Sequence, residues 1–326
     1  MCIRDRRRSA VGRVAILALL GVASILIAWS VGFRVLVDGT LVPDSEFDSS
    51  TLVLDRQGRL LRAFTVADGR WRLRVSAEEV DPLYVEMLLA YEDRRFFDHA
   101  GVDLRALLRA GMQYLSNGRT VSGGSTISMQ LVRLLGRRPT RDLAGKFRQI
   151  LAALALERKL DKQAILTTYL NLAPYGGNIE GVRAAALAWF GREPSRLTPA
   201  ESALLVALPQ SPEARRPDRN PRYARQARDR VLTRALSSGI IDQDTAEAAR
   251  LEPVPETRRP FPLLAAHAAR RALRSSPARK VHRLTIDAAL QERLERLALE
   301  RARSLGKHIS VALMLTDHRD GRVLGS

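Results

Sequence analysis

Four segments of the 326-residue chain carry side chains that could do chemistry. The densest is Tyr91-Glu-Asp-Arg-Arg-Phe-Phe-Asp-His-Ala-Gly101, in which two adjacent acids, Glu92 and Asp93, end an otherwise apolar run. A carboxylate at the rim of an apolar helix is partly desolvated, which disfavours its charged form and suits it to general acid–base work. The same spacing also describes a surface acid at a helix end beside arginines. The second segment is Ser122-Gly-Gly-Ser-Thr-Ile-Ser-Met-Gln130, where a Gly-Gly turn leads into hydroxyls and an apolar helix. Such an N-terminus offers N–H groups and hydroxyls to a phosphate. No Gly-Lys-Ser/Thr follows, so it is not a Walker loop, and taken alone the segment fits an ordinary capped loop better.

The third segment is the cationic series Arg133, Arg137, Arg138, Arg141, Lys146 and Arg148. A diphosphate needs such a clamp, although a solvated basic face has the same composition. The fourth, Arg158 to Asn171, reads first as structural packing between two helices.

The elements that must carry these residues are mostly helical. Thr51 to Val75 alternates apolar and polar residues around the turn signal Asp55-Arg-Gln-Gly58, which predicts a small hairpin or meander. Ser76-Ala-Glu-Glu79 is a capping box, followed by Leu83, Met87, Leu88 and Tyr91 at helical spacing. Further helices are predicted over 103–115, 141–160, from Asp161 to near Leu170, over 179–190, from Pro199 behind the capping box Thr198-Pro-Ala-Glu201, and over 222–237. Residues 34–75 thus read as a β-rich linker and 76–250 as one mainly α domain. Five prolines between Pro253 and Pro277 mark a second linker over 251–280, and 281–326 resumes a strand–helix–strand pattern.

Val14 to Phe33 is a run of 20 residues without a charge. At about 1.5 Å per residue it spans about 30 Å, the thickness of a bilayer core. Five arginines and one aspartate precede it, so the positive-inside rule predicts a cytoplasmic N-terminus, with 1–33 as tail and transmembrane helix and the remainder translocated. A cleaved signal peptide is the alternative; its apolar run is usually about 7–15 residues. The net charge is +18, and all but +4 of it lies beyond residue 33. A basic domain outside a membrane faces anionic headgroups or an anionic lipid-linked substrate. No nucleic-acid-binding motif is present. Cys2 is the only cysteine, which excludes a disulfide framework, and the five histidines show no metal-ligand spacing, so no metal residues are assigned.

Taken in order, the four segments resemble the signature motifs of the peptidoglycan glycosyltransferase domain of class A penicillin-binding proteins, glycosyltransferase family 51. That pattern reads ED-x-x-F-x-x-H-x-G, GGST-x-T-x-Q, RK-x-x-E and SK-x-x-IL-x-x-YLN. The matching residues are Glu92, Asp93, Phe96, His99 and Gly101; Gly123 to Thr126 and Gln130; Lys146; and Lys162, Ile165, Leu166 and Tyr169 to Asn171. Ser128-Met-Gln130, Ala173-Pro-Tyr-Gly-Gly177 and Pro209-Gln-Ser-Pro-Glu-Ala-Arg-Arg-Pro-Asp218 resemble one subtype of the family. One position departs from the pattern. The third motif's glutamate is Gln149, an amide that can hydrogen-bond but cannot transfer a proton. Glu157, the nearest acid on that helix, lies about 12 Å further along. Leu284 to Gln291 and Val311 to Leu324 resemble the opening of the family's penicillin-binding transpeptidase domain, and the chain is expected to stop within it, before the Ser-x-x-Lys nucleophile. Ser304-Leu-Gly-Lys307 spells that motif but precedes the first core strand.

The resemblance implies a lysozyme-like, mainly α fold held at the outer face of the inner membrane. It implies lipid II and the growing glycan strand as substrates, with inversion at the anomeric carbon and release of undecaprenyl diphosphate. Glu92 is the implied general base. Arg133, Arg141, Lys146 and Arg148 would neutralise the diphosphate, with Mg²⁺ as an optional cofactor there. Ser125, Thr126, Gln130 and Gln149 would contact substrate, and Asp93 would support the local structure. Two other classes remain open on sequence. One is a non-catalytic lipid II-binding scaffold, suggested by Gln149. The other is a lysozyme-like hydrolase, which needs a second carboxylate and a water site but no cationic clamp.

Overall fold

A computed structural model describes residues 24–117, 124–136, 142–306 and 308–326. The chain is mainly helical with small sheets, and it divides into two compact units. The smaller contains 24–43 and 98–161; the larger contains 44–97 and 162–326.

In the smaller unit, helix α1 runs over 24–38. Of the predicted apolar span Val14–Phe33, residues 14–23 lie outside the described residues. Among the described residues no helix is long and apolar enough to cross a membrane. Ile25, Leu26, Ile27, Trp29 and Val31 are nevertheless exposed. At the C-terminal end of α1, Val37 packs with Leu151 and Ala155 of helix α5 (Leu143–Lys159), and Arg158 pairs with Asp38. Helices α3 (Leu104–Asn117), α4 (Ile127–Gly136) and α5 (Leu143–Lys159) complete this unit, with α4 packed on α5. Asp142 caps α5 by accepting the Gly145 N–H at 2.8 Å, which places the helix start two residues later than the apolar periodicity predicts.

In the larger unit, β1 (Thr51–Leu54) and β2 (Leu60–Phe64) form the predicted antiparallel hairpin, closed by the Asp55 carboxylate accepting the Gln57 and Arg59 N–H groups. The alternating stretch at 70–75 does not extend it. Strand β3 (Trp71–Arg72) instead pairs in parallel with β4 (Ile179–Glu180). The helix predicted over 179–190 therefore loses its first turn. Glu180 is held in strand geometry by Arg70 and Arg72, and helix α7 (Val182–Phe190) starts only after Gly181.

The Ser76 capping box closes a single 3-10 turn, with Glu79 accepting the Ser76 N–H at 2.8 Å. A second cap, Asp81, starts α2 (Pro82–Glu92), which buries Tyr84, Met87 and Leu88. Helix α6 (Lys162–Leu172) buries Ile165, Leu166, Tyr169 and Asn171. Asn171 bridges the backbone N–H and carbonyl of Val75 at 3.0 and 2.7 Å, so the fourth motif is structural packing here.

Helix α8 (Pro199–Ala207) keeps its capping box, and α9 (Pro221–Ser237) packs on α8 and α2. Helix α10 (Gln243–Leu251) follows. The proline-marked linker contains another helix, α11 (Ala266–Ser275). Strand β5 (Val281–Arg283) adds in parallel to β1, giving the sheet order β2-β1-β5. Helix α12 (Ala288–Leu305) and the antiparallel pair β6 (Leu315–Thr316) and β7 (Val323–Gly325) end the chain.

Candidate active site

The acid pair sits where α2 ends. Glu92 is the last residue of the helix and is half-buried; Asp93 is its C-cap and is buried. The Asp93 N–H donates to Leu89 O at 2.9 Å, and its carbonyl accepts the Phe96 N–H at 2.9 Å. Asp93 thus turns the chain sharply out of the helix and leaves Glu92 at the rim. The last carbonyls of a helix need donors from outside it. Arg234 of α9 supplies one, donating to Ala90 O at 3.2 Å. The Glu92 carboxylate accepts the Gln210 side-chain amide at 2.7 Å, and Arg215 donates to the Gln210 oxygen at 3.1 Å. Lys162, from the fourth motif, lies over the Phe96 ring at 4.5 Å and braces the turn behind the acids.

Residue type and motif give Gln210 and Arg215 no role: their segment, Pro209 to Asp218, is typical only of a subtype, and no local pattern connects it to an acid 118 residues away.

The smaller unit holds the residues of the second segment and the cationic residues of the third. His99 Nδ1 accepts the Gly101 N–H at 3.2 Å, and the Gly101 carbonyl accepts the Thr126 hydroxyl at 2.6 Å. Thr126 also accepts the Met129 N–H at 3.2 Å. The Thr126 hydroxyl has a single proton, and that proton is directed at Gly101, so Thr126 serves as the cap of α4 rather than as a free substrate contact.

Ser125, half-exposed, accepts Lys146 Nζ at 3.3 Å. Lys146 also donates to Gln149 Oε1 at 3.3 Å, while Gln149 Nε2 donates to the Met129 carbonyl at 2.5 Å. Gln149 is buried. Because Lys146 can only donate and a carbonyl can only accept, the amide orientation is fixed at both ends. An ionised carboxylate could not make the second contact, which accounts physically for the amide at this position. Glu157 is no substitute for it, since its carboxylate accepts the Ser128 hydroxyl.

Burial, together with the nearby Arg133 guanidinium, holds the Lys146 ammonium below the usual lysine pKa. Among the described residues neither cation is in an ion pair. Arg133, in the last turn of α4, and Lys146 therefore form a pair of uncompensated charges suited to an anion. Arg148 does not join them. It lies two residues beyond Lys146 on α5 and is exposed, and side chains at that spacing point to different sides of a helix. Gln130 is on the first turn of α4 and half-exposed. Arg137, Arg138 and Arg141 lie outside the described residues, as do Ser122 and Gly123. Two cations, an amide and a hydroxyl are a poor donor set for Mg²⁺, and among the described residues no group of three or more His, Cys, Asp or Glu could hold a metal ion.

Penicillin-binding protein 1C of Escherichia coli (strain K12) is 42% identical to this chain over 284 residues, which are 87% of this chain and 37% of that protein. Penicillin-binding protein 1A of Aquifex aeolicus (strain VF5) is 34% identical over 244 residues, 72% of this chain and 33% of that protein. The chain thus spans about a third of the length of these curated relatives. A solved structure of penicillin-binding protein 1A from Haemophilus influenzae superposes with a TM-score of 0.39 at 18% identity, covering 79% of this chain and 30% of that one, too distant to carry a statement about the fold. A family model described as Transglycosylase matches residues 57–236. That match takes in the acid pair, the Thr126 cap and the Lys146–Gln149 contact, and it covers more than half of the chain, which therefore belongs to the transglycosylase family.

Proposed function

We propose that the chain is a peptidoglycan glycosyltransferase that polymerises lipid II into glycan strands, with a lysozyme-like fold. The observation that carries this reading is the separation of tasks. A single oriented carboxylate, Glu92, stands at a helix rim, and a pair of uncompensated cations, Arg133 and Lys146, stands at the α4–α5 pair. Transfer from a lipid-linked donor needs both a base and an anion holder, whereas hydrolysis needs two carboxylates and a water.

Glu92 takes the proton of the acceptor's 4-hydroxyl as that oxygen bonds to the anomeric carbon of the growing strand. The bond from that carbon to the lipid diphosphate breaks, and its electron pair leaves with the diphosphate. Attack opposite the leaving group inverts the anomeric carbon. Lys146 and Arg133, with Arg141 from the same cationic series, neutralise the diphosphate, and Ser125 and Gln130 position its oxygens or those of the sugar. Asp93 and Thr126 hold the turn and the helix start that present these groups. Gln149 acts by holding Lys146.

The protein acts at the outer face of the inner membrane, anchored by the run Val14–Phe33 with its N-terminus cytoplasmic. The exposed apolar residues of α1 support this. So does helix α3, where Leu104, Leu108 and Met112 are exposed at a spacing of four residues, one apolar stripe on the helix surface.

The test is to incubate the purified full chain with labelled lipid II and resolve the products on a gel. A ladder of glycan polymer is the expected outcome. Lipid II that is bound but never extended would leave a non-catalytic binding module instead, and cleavage of preformed strands would indicate a hydrolase.

A further inference from the structure

The segment that reaches Glu92 is fixed from several sides. Arg215 donates to Ala207 O at 2.6 Å as well as to the Gln210 oxygen, and its own N–H donates to Ser211 O at 2.9 Å. Its neighbour Arg216 grips Asp218 through two hydrogen bonds of 3.0 and 2.6 Å, and Glu213 accepts the Gly177 N–H at 2.6 Å. A guanidinium cannot accept, so the Gln210 oxygen must face Arg215 and the NH2 group must face Glu92. The contact is therefore directional.

Its electrical sense is defined as well. Glu92 ends α2, the partially negative end of a helix, so an N–H donor there offsets a local repulsion of the carboxylate. Among the described residues, Tyr84 of α2 and Arg215 itself are charged or titratable groups within electrostatic reach of it, and Asp93 is its chain neighbour.

We propose that Gln210, oriented by Arg215, is a positioning residue for the Glu92 carboxylate. Holding Oε1 fixes the plane of the carboxyl group and hence the direction from which it takes a proton, and the donor keeps the group ionised at the negative end of α2. This rests on Glu92 being the base of the proposed glycosyl transfer.

The test uses the full chain and two readouts. The first is the carboxyl ¹³C shift of Glu92 against pH, assigned by its loss in Glu92→Gln, in the wild type and in Gln210→Leu. The second is the pH dependence of lipid II polymerisation by the same proteins. Gln210 is exposed, so Gln210→Leu should fold, which circular dichroism checks. Losing the donor should raise the Glu92 midpoint by about one pH unit. The acidic limb of kcat should move up with it. Misorientation should lower kcat about tenfold or more at neutral pH, with KM within about twofold. Arg215→Met, which frees the amide to turn over and removes a cation coupled to Glu92, should raise the midpoint in the same direction.

An unmoved Glu92 midpoint in Gln210→Leu overturns the inference, even if kcat falls, because a purely structural residue would give that result. If the wild type polymerises lipid II and Gln210→Leu matches it in midpoint and kcat, the glycosyl-transfer reading stands and this inference fails. If the midpoint moves although the wild type makes no polymer, the contact is upheld and the glycosyl-transfer reading fails.

Discussion

Replacing Gly101 by alanine tests whether the glycine of the first motif belongs to the architecture rather than to the chemistry. Gly101 has φ +94°, and a Cβ built there would stand 2.6 Å from Ala153 O and 2.8 Å from Ala153 C, both backbone atoms of α5. Two costs follow. A left-handed backbone costs an L-residue about 1–2 kcal/mol. Forcing a methyl group against a helix carbonyl belongs with overpacking, about 1–3 kcal/mol. Together they predict a loss of about 2–5 kcal/mol. At roughly 2–4 °C per kcal/mol for a protein of this size, the melting temperature should fall by about 4–20 °C. Part of that loss passes through Thr126, whose hydroxyl bonds the Gly101 carbonyl and caps α4.

Urea unfolding followed by far-ultraviolet circular dichroism measures the change. Gly69→Ala is the internal control. Gly69 has φ +78° but nothing within 4 Å of its Cβ position, so only the backbone cost of about 1–2 kcal/mol applies. A Gly101→Ala protein within about 0.5 kcal/mol of the wild type, or no worse than Gly69→Ala, would refute the close-approach argument.

Three further outcomes follow from the same geometry. Because burial and Arg133 pull the Lys146 pKa down, the ammonium loses its charge earlier as pH rises, so affinity for a diphosphate should fall below the ordinary lysine range. Lys146→Arg should carry that fall to higher pH, and identical alkaline limbs measured by titration calorimetry would contradict the assignment. Thr126→Val should cost about 1–2 kcal/mol of stability through the lost cap, whereas Ser125→Ala should stay within about 0.5 kcal/mol and instead weaken substrate binding; denaturant melts and binding isotherms separate the two. Ser304 is exposed near the end of α12 with its hydroxyl donating to Arg301 O at 2.9 Å, and Lys307 lies outside the described residues. Fluorescent penicillin should therefore leave no label that disappears in Ser304→Ala.

Local chemistry was readable from the sequence, and distant pairing was not. The turn at Asp55, the capping box at Thr198 and the helix rim at Glu92 depend on residues within a few positions of one another, and each is found where the sequence places it. Strand pairs β3–β4 and β1–β5 join residues more than a hundred positions apart. A two-residue strand such as Ile179–Glu180 carries no period of its own, so its apolar neighbours drew it into the following helix. The site shows the same division. Glu92 and Lys146 were legible from residue type and motif. The Gln210 amide on Glu92, the donor role of Gln149 and the internal use of the Thr126 hydroxyl depend on which atoms meet after folding. Arg148 was grouped with Lys146 because both lie on one helix, but a spacing of two residues turns them apart.

The most direct test of the central claim is the turnover of lipid II by Glu92→Gln beside the wild type, with binding of lipid II measured in parallel. The substitution nearly preserves shape and removes only the ability to accept a proton, so the fold and the cationic α4–α5 pair should be untouched. Polymer formation should fall by about 10²–10⁴-fold while lipid II still binds. Polymerisation within about threefold of the wild type would contradict the assignment of Glu92 as the base.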